Sequence, residues 1–140
     1  MSAILILHIG FVGLWLGCVL TEAAFERTLL AGSREAHATL ARLHLRVDLF
    51  VEVPAMLGVL TTGALLWPSA AWTAGTQAMA ALGALALAAN AVCVWLVVAR
   101  HKAAKAGDWN RFDLLDHRQH QIGAVVLVAL LGAFAAAIIF

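Results

Sequence analysis

The chain consists of long apolar runs separated by shorter polar stretches. Four runs are predominantly apolar and about as long as the 20 residues that a helix needs to cross the hydrocarbon core of a bilayer. They cover residues 3–21, 49–67, 78–99 and 122–140. Hydrophobic residues make up 64% of the 140 residues and charged residues only 12%, which is outside the usual composition of soluble proteins. We predict a single all-α domain, 1–140, embedded in a membrane.

The predicted helices continue beyond these runs, because the polar stretches between them are broken only briefly. Glycine followed by a capping residue occurs at Gly32-Ser33 and at Gly107-Asp108, a pattern typical of one helix ending and another beginning. The predicted helices span about 3–31, 34–67, 76–106 and 109–140. They predict an up-down-up-down four-helix bundle whose helices extend into the cytoplasm.

Proline indicates two irregular points in the second predicted helix. Pro68 ends it, whereas Pro54 lies inside it and leaves the Phe50 carbonyl without its usual N–H partner. We therefore expect a kink near Pro54.

Charge along the chain predicts the orientation in the membrane. All nine Lys and Arg and all eight Asp and Glu lie within 22–52 and 100–118, whereas the connection 68–77 is uncharged. Because basic residues accumulate on the cytoplasmic side, we expect both charged blocks to face the cytoplasm and both termini to lie outside the inner membrane. The first apolar run is expected to be retained, since no basic residue precedes it and an acidic segment follows it.

Polar residues share one face within each predicted helix, because residues three, four or seven apart lie on one side. In an antiparallel bundle, those at similar distances from the membrane border lie at one level. The predicted metal ligands at that level are Glu22, Glu26, His44, Asp48, Glu52, His117 and His120. The residues predicted to support these ligands by hydrogen bonds are Asp113, Asp116 and Asn90.

This residue set predicts a transition-metal site. Carboxylates and imidazoles near hydrocarbon are costly unless they are paired or bound to metal, and ferritin-like bundles hold two metal ions with similar residues. Imidazole and carboxylate ligands suit iron, zinc, manganese or copper(II). We expect one or two such ions, serving either a redox enzyme that acts on a lipophilic substrate or a protein that stores or delivers metal.

Haem is an alternative cofactor, because a b-type haem between helices needs one or two axial histidines. His8 could provide one, and so could His44 with His117 or His120. The surrounding carboxylates favour a free metal ion over haem. Proton or ion conduction is a third interpretation, for which the outer half of the chain offers only His8 and Asn90.

A purely structural interpretation is also open, in which the acidic residues form ion pairs in the small subunit of a larger membrane complex. Glu22 and Glu26 would then pair with Arg27, Arg42 or Arg46, and Asp113 and Asp116 with Arg111 or Arg118. The expected partners are the lipid bilayer and a metal ion, with no nucleic acid. The sequence leaves open whether the chain forms a homo-oligomer or joins a larger complex.

The first helix resembles two families of small membrane proteins. His8, Trp15 and Gly17 form a His-x6-Trp-x-Gly pattern that is similar to the copper-resistance protein D (CopD) domain and to the HemJ-type protoporphyrinogen oxidase. The second helix, from Val47 through Gly63, also resembles a group of four-helix bacterial membrane proteins of unknown function. The resemblance implies a functional role for His8, related to copper in one family and to porphyrin in the other.

Overall fold

A computed structural model of the chain describes residues 2–29 and 31–139. The helices are α1 (Ala3–Leu29), α2 (Arg34–Val47), α3 (Val53–Leu66), α4 (Ala74–Ala106) and α5 (Trp109–Ile139). A π-helical turn, Asp48–Glu52, joins α2 to α3, and a 3₁₀ turn, Trp67–Ser69, follows α3. The described part of the chain contains no strand, so the all-helical prediction is confirmed. Counting α2, the π turn and α3 as one, four helices are long and apolar enough to cross a membrane.

The helix ends agree closely with the predicted ones. Residue 31 lies in a turn, and residues 30 and 140, which the prediction included in helices, lie outside the described residues. The Ser33 hydroxyl accepts a hydrogen bond from the Ala36 amide at 3.3 Å, which confirms it as the N-cap of α2. Gly107 ends α4 with a positive φ of 70°, a conformation that glycine adopts without strain. Asp108 then accepts a hydrogen bond from the Arg111 amide at 3.1 Å.

The irregular point near Pro54 is a π-helical turn. Proline has no N–H to bond to the Phe50 carbonyl. The turn from Asp48 to Glu52 directly precedes it, and the Val53 amide bonds to the Asp48 carbonyl five residues back. Single π-helical turns inside α-helices often occur at functional sites. This one begins and ends on a buried carboxylate, Asp48 and Glu52.

Helix packing brings the two charged blocks together. α1 packs mainly on α3, and α4 packs on α5 and on α2. Gly58 permits the close approach of α1, since a Cβ atom there would lie 2.5 Å from the Phe11 ring. Contacts of α2 with α4 and α5 join the first charged block to the second, as between Arg34 and Asp113. We call the end of the helices that carries both blocks the polar end.

A layer of buried polar residues lies beside two apolar clusters. The larger cluster includes Trp15, Val59 and Val126, and the smaller one, at the polar end, includes Ala41 and Phe112. The buried polar residues along α1, α2, the π turn, α4 and α5 that form the layer are Glu22, Glu26, His44, Asp48, Glu52, Arg100 and Gln119. This polar layer contains most of the predicted site.

Candidate metal centre

Three of the predicted ligands converge inside the polar layer. Glu22 comes from α1, His44 from α2 and Asp48 from the start of the π turn, and all three are buried. The Nε2 atom of His44 lies 3.3 Å from Glu22 Oε2 and 3.4 Å from Asp48 Oδ1. One ligand atom from each residue lies within 4.8 Å of the other two, close enough for a single metal ion. We call Glu22, His44 and Asp48 the inner triad.

Asp48 is the least satisfied member of the inner triad. Its exposure is 0%, and neither carboxylate oxygen has a hydrogen-bond partner among the described residues. Its ion-pair contact is with His44 Nε2, an atom that Glu22 approaches at a similar distance. A buried carboxylate without a donor or a counter-charge is strongly unfavourable. Asp48 and Glu22 share the single nitrogen His44 Nε2, and a cation bound between them would compensate both carboxylates.

Glu26 orients the imidazole of His44. Its Oε1 atom lies 2.7 Å from His44 Nδ1, so a ring hydrogen on Nδ1 would be donated to Glu26. The lone pair of Nε2 then points toward the oxygens of Glu22 and Asp48. Arg100 Nη2 also approaches Nδ1, at 2.9 Å, because the same guanidinium is bound to Glu26. A carboxylate on the far nitrogen of a histidine is the usual support of a metal-binding imidazole.

Arg100 builds a second cluster next to the inner triad. Its guanidinium, with 0% exposure, pairs through Nη1 with Glu26 at 2.8 Å and with Asp116. His120 Nε2 lies 2.6 Å from the other oxygen of Glu26, and its side chain is 43% exposed. Glu26, Asp116 and His120 also converge closely enough to hold an ion. We call these three residues and Arg100 the outer network, in which the arginine already supplies positive charge.

Glu52 lies at the other end of the π turn from Asp48. It is 2% exposed and accepts a hydrogen bond from Trp15 Nε1 at 3.3 Å. Asn90, predicted to support a ligand, donates from Nδ2 to Met56 Sδ at 2.8 Å, and its side chain also hydrogen-bonds Glu52. Glu52 therefore adds a third buried carboxylate beside the inner triad, held by neutral donors.

Three other predicted residues lie outside both clusters. His117 is exposed on α5 and belongs to neither candidate metal group. Asp113 is also exposed and accepts two hydrogen bonds from Arg34, at 2.7 and 2.9 Å. His8 Nδ1 lies 2.8 Å from Thr62 Oγ1, near the opposite end of α3. Arg34 and Asp113 therefore tie α2 to α5 at the surface.

Sequence reasoning missed Arg100 and Gln119. Arg100 shares the buried face of α4 with Val97 and Cys93, which lie three and seven residues before it, and this spacing was the available signal. Gln119 likewise lies on the buried face of α5, and its Nε2 is 3.4 Å from Glu26 Oε1. The arginines named above as ion-pair partners were Arg27, Arg42, Arg46, Arg111 and Arg118. All five are exposed because they face away from the layer, and the partner of Glu26 and Asp116 is instead Arg100.

Comparison with protein-family models, with curated proteins and with solved structures gives no match. The resemblance of the first helix to two membrane families therefore stays an expectation. In the structure, His8 of that pattern contacts Thr62, and Trp15 contacts Glu52. Function must be inferred from the geometry of the polar layer.

Proposed function

We propose that this chain is an integral membrane metal-binding protein in which the inner triad holds one divalent transition-metal ion. The observation that carries the proposal is Asp48, a fully buried carboxylate without a hydrogen-bond partner, next to Glu22 and His44 Nε2. Clustered carboxylates alone would not indicate a site. A buried, unpartnered one beside an oriented imidazole does, because a metal ion satisfies all three groups at once.

The charge distribution favours the inner triad over the outer network as the site. Glu22, Asp48 and the nearby Glu52 are three carboxyl groups, and His44 provides the one ionisable nitrogen in contact with them among the described residues. Glu26 and Asp116 instead share the guanidinium of Arg100. A second metal ion there would be repelled by that fixed positive charge. We therefore propose one ion, not two.

The ligand types narrow the metal and its chemistry. One imidazole and two carboxylates suit iron, zinc or manganese. Three protein ligands leave at least one coordination position open, as in catalytic rather than structural zinc sites. This favours a metal-dependent membrane enzyme over storage of the metal.

We also propose that the four long helices form an up-down-up-down bundle in the inner membrane, with the polar end in the cytoplasm and both termini outside. The order of contacts supports this topology, since His8 meets Thr62, Trp15 meets Glu52 and Glu26 meets His44. The restriction of basic residues to the polar end supports the orientation. Cysteine-accessibility labelling of residues added at either terminus would test it.

Elemental analysis combined with an optical spectrum tests the metal proposal. Protein purified in lipid nanodiscs is expected to hold about one equivalent of iron, zinc or manganese per chain, the metals that this ligand set suits. Asp48→Asn is expected to lose it. The matched control is Asp113→Asn, which changes an exposed aspartate and should retain the metal.

Two results would overturn this proposal. A haem absorption band would assign the cofactor to a porphyrin, with His8 or His44 as axial ligand. Protein without bound metal, even after exposure to each candidate ion, would leave the polar layer as an ion-pair network.

A further inference from the structure

Burial sorts the charged residues of the polar end by sign. Most of the acidic residues are buried or partly buried, and the exposed ones are Glu35, Asp108 and Asp113. Most of the basic residues are exposed, namely Arg27, Arg34, Arg42, Arg46, Lys102, Lys105, Arg111 and Arg118. The surface of the polar end is therefore strongly basic, although the formal net charge of the whole chain is only +1.

Two of the exposed cations come together where α2 packs on α4. His44 of α2 contacts Arg100 of α4 at 2.9 Å. Next to this contact is the partly buried His101, near enough to Arg42 of α2 and Lys105 of α4 for both charges to act on its imidazole. We call Arg42, His101 and Lys105 the basic seam.

The basic seam has cations from two helices without a carboxylate to balance them. In the described part of the chain, the arginines that pair with carboxylates are Arg34 and Arg100. The charges that act on His101, those of Lys105 and Arg42, are both positive. Like charges held close together repel each other, and an anion bound between them is attracted by both.

Apolar side chains continue the basic seam toward the membrane. Leu49, seven residues from Arg42, is 47% exposed, and Val98, seven residues from Lys105, is partly exposed. Residues seven apart share a face of a helix and lie about 10 Å apart along it. The headgroup region extends about 5–8 Å beyond the hydrocarbon, so the long side chains of Arg42 and Lys105 reach it from just outside.

We propose that the basic seam binds the phosphate of an anionic phospholipid whose acyl chains lie against Leu49 and Val98. Basic pockets between membrane helices are suited to such headgroups. A zwitterionic phospholipid adds an ammonium group that the two cations repel. The apolar strip favours a lipid over an acidic protein segment, because a phospholipid joins the phosphate and the apolar chains in one molecule. The inference rests on the membrane embedding proposed above and is independent of the metal.

Native mass spectrometry of the full chain, titrated with phosphatidylglycerol or with phosphatidylcholine of the same acyl chains, tests the proposal. The wild type is expected to bind phosphatidylglycerol more tightly. Replacement of both cations, Arg42→Gln with Lys105→Gln, should weaken phosphatidylglycerol binding about 30-fold, as expected for two basic residues near an anionic headgroup. Phosphatidylcholine binding should change little.

The matched control is Arg27→Gln with Arg118→Gln, which removes the same charge from exposed positions on α1 and α5. It should bind phosphatidylglycerol nearly as the wild type does. Equal affinity of the wild type for the two lipids would overturn the proposal. So would an equal loss in both double variants, which would indicate diffuse attraction to the whole basic surface, or tighter binding of an acidic peptide than of phosphatidylglycerol.

Metal content measured on the same samples tests the metal proposal separately. Both double variants keep the inner triad and should hold as much metal as the wild type. Selective lipid binding in protein that holds no metal would support the basic seam and overturn the metal site. Bound metal without lipid selectivity would do the reverse.

Discussion

Two adjoining clusters in the polar layer contain the same kinds of residue and differ in one arginine. The inner triad has Glu22, Asp48 and His44, and the outer network has Glu26, Asp116 and His120. Each set brings together two carboxylates and one imidazole. Arg100 pairs with both carboxylates of the outer network, whereas Asp48 in the inner triad has no hydrogen-bond partner among the described residues.

The comparison shows that ligand type and spacing do not by themselves make a metal site. Both clusters satisfy the same distance requirement. What separates them is burial and the surrounding charge, since His120 of the outer network is 43% exposed and the Arg100 guanidinium pairs with that network's carboxylates but with neither carboxylate of the inner triad. Glu26 connects the two clusters, because it binds Arg100 on one side and orients His44 on the other.

Removal of Arg100 should have the largest effect on stability and on metal content, because it takes away the arginine that distinguishes the outer network from the inner triad. Arg100→Met removes the guanidinium from buried Glu26 and from partly buried Asp116, and breaking a buried ion pair from one side costs about 3–5 kcal/mol. We expect a loss of that order in the free energy of unfolding, measured by denaturation with SDS in mixed micelles. We also expect added zinc or manganese to raise the metal content from one to two equivalents.

The matched control for Arg100→Met is Arg118→Met, which removes an exposed arginine of α5. It should change neither stability nor metal content appreciably, since exposed charges contribute little. If Arg100→Met were as stable as the wild type and still held one equivalent, charge compensation would not be what distinguishes the clusters.

Removal of a proposed ligand should have the next largest effect, which we expect on metal affinity. Glu22→Gln keeps the size of the side chain but removes one of the two carboxylates that face His44 Nε2. We expect metal affinity to fall by more than about 100-fold, beyond the range typical of residues that only orient a ligand. A competition titration against a chelator in nanodiscs would measure it. An affinity within a few-fold of the wild type would remove Glu22 from the ligand set.

The sequence predicted the helices well because their signals are local. Apolar run length, the Gly107 turn and the Ser33 cap each depend on a few neighbouring residues, and the structure has all of them. The site was predicted less completely, because the partner of a buried charge is set by helix rotation. Exposed Arg27 and Arg46 are nearer in sequence to the acidic residues than Arg100, whose side chain faces the layer from α4.

His117 shows the same dependence on rotation. It is three residues from His120, so both were predicted as ligands on one face of the helix. In the structure His120 contacts Glu26, whereas His117 is exposed. A spacing of three residues rotates the side chain by about 300°, which leaves the two about 60° apart. That difference is enough to place one at the edge of the layer and the other outside it.

Glu26→Gln should lower metal affinity less than Glu22→Gln does, although the two residues are one turn apart on α1. Glu26 acts on the metal through His44 Nδ1, and loss of such an orienting carboxylate typically lowers metal affinity 10–100-fold. The chelator titration should therefore place Glu26→Gln between the wild type and Glu22→Gln. The reverse order would mean that the metal lies in the outer network.

The smallest effects on stability and on metal affinity are expected from substitution of His120 and His117, two histidines of α5. His120 is 43% exposed and contacts Glu26 at 2.6 Å, so its ion pair is partly screened by solvent. We expect His120→Gln to lower the free energy of unfolding by no more than about 1 kcal/mol, as for other exposed pairs, and to lower metal affinity only a few-fold through Glu26. His117→Gln, an exposed change on the same helix, should alter neither quantity. Complete loss of metal in His120→Gln would instead make His120 a ligand, and the outer network rather than the inner triad would be the metal site.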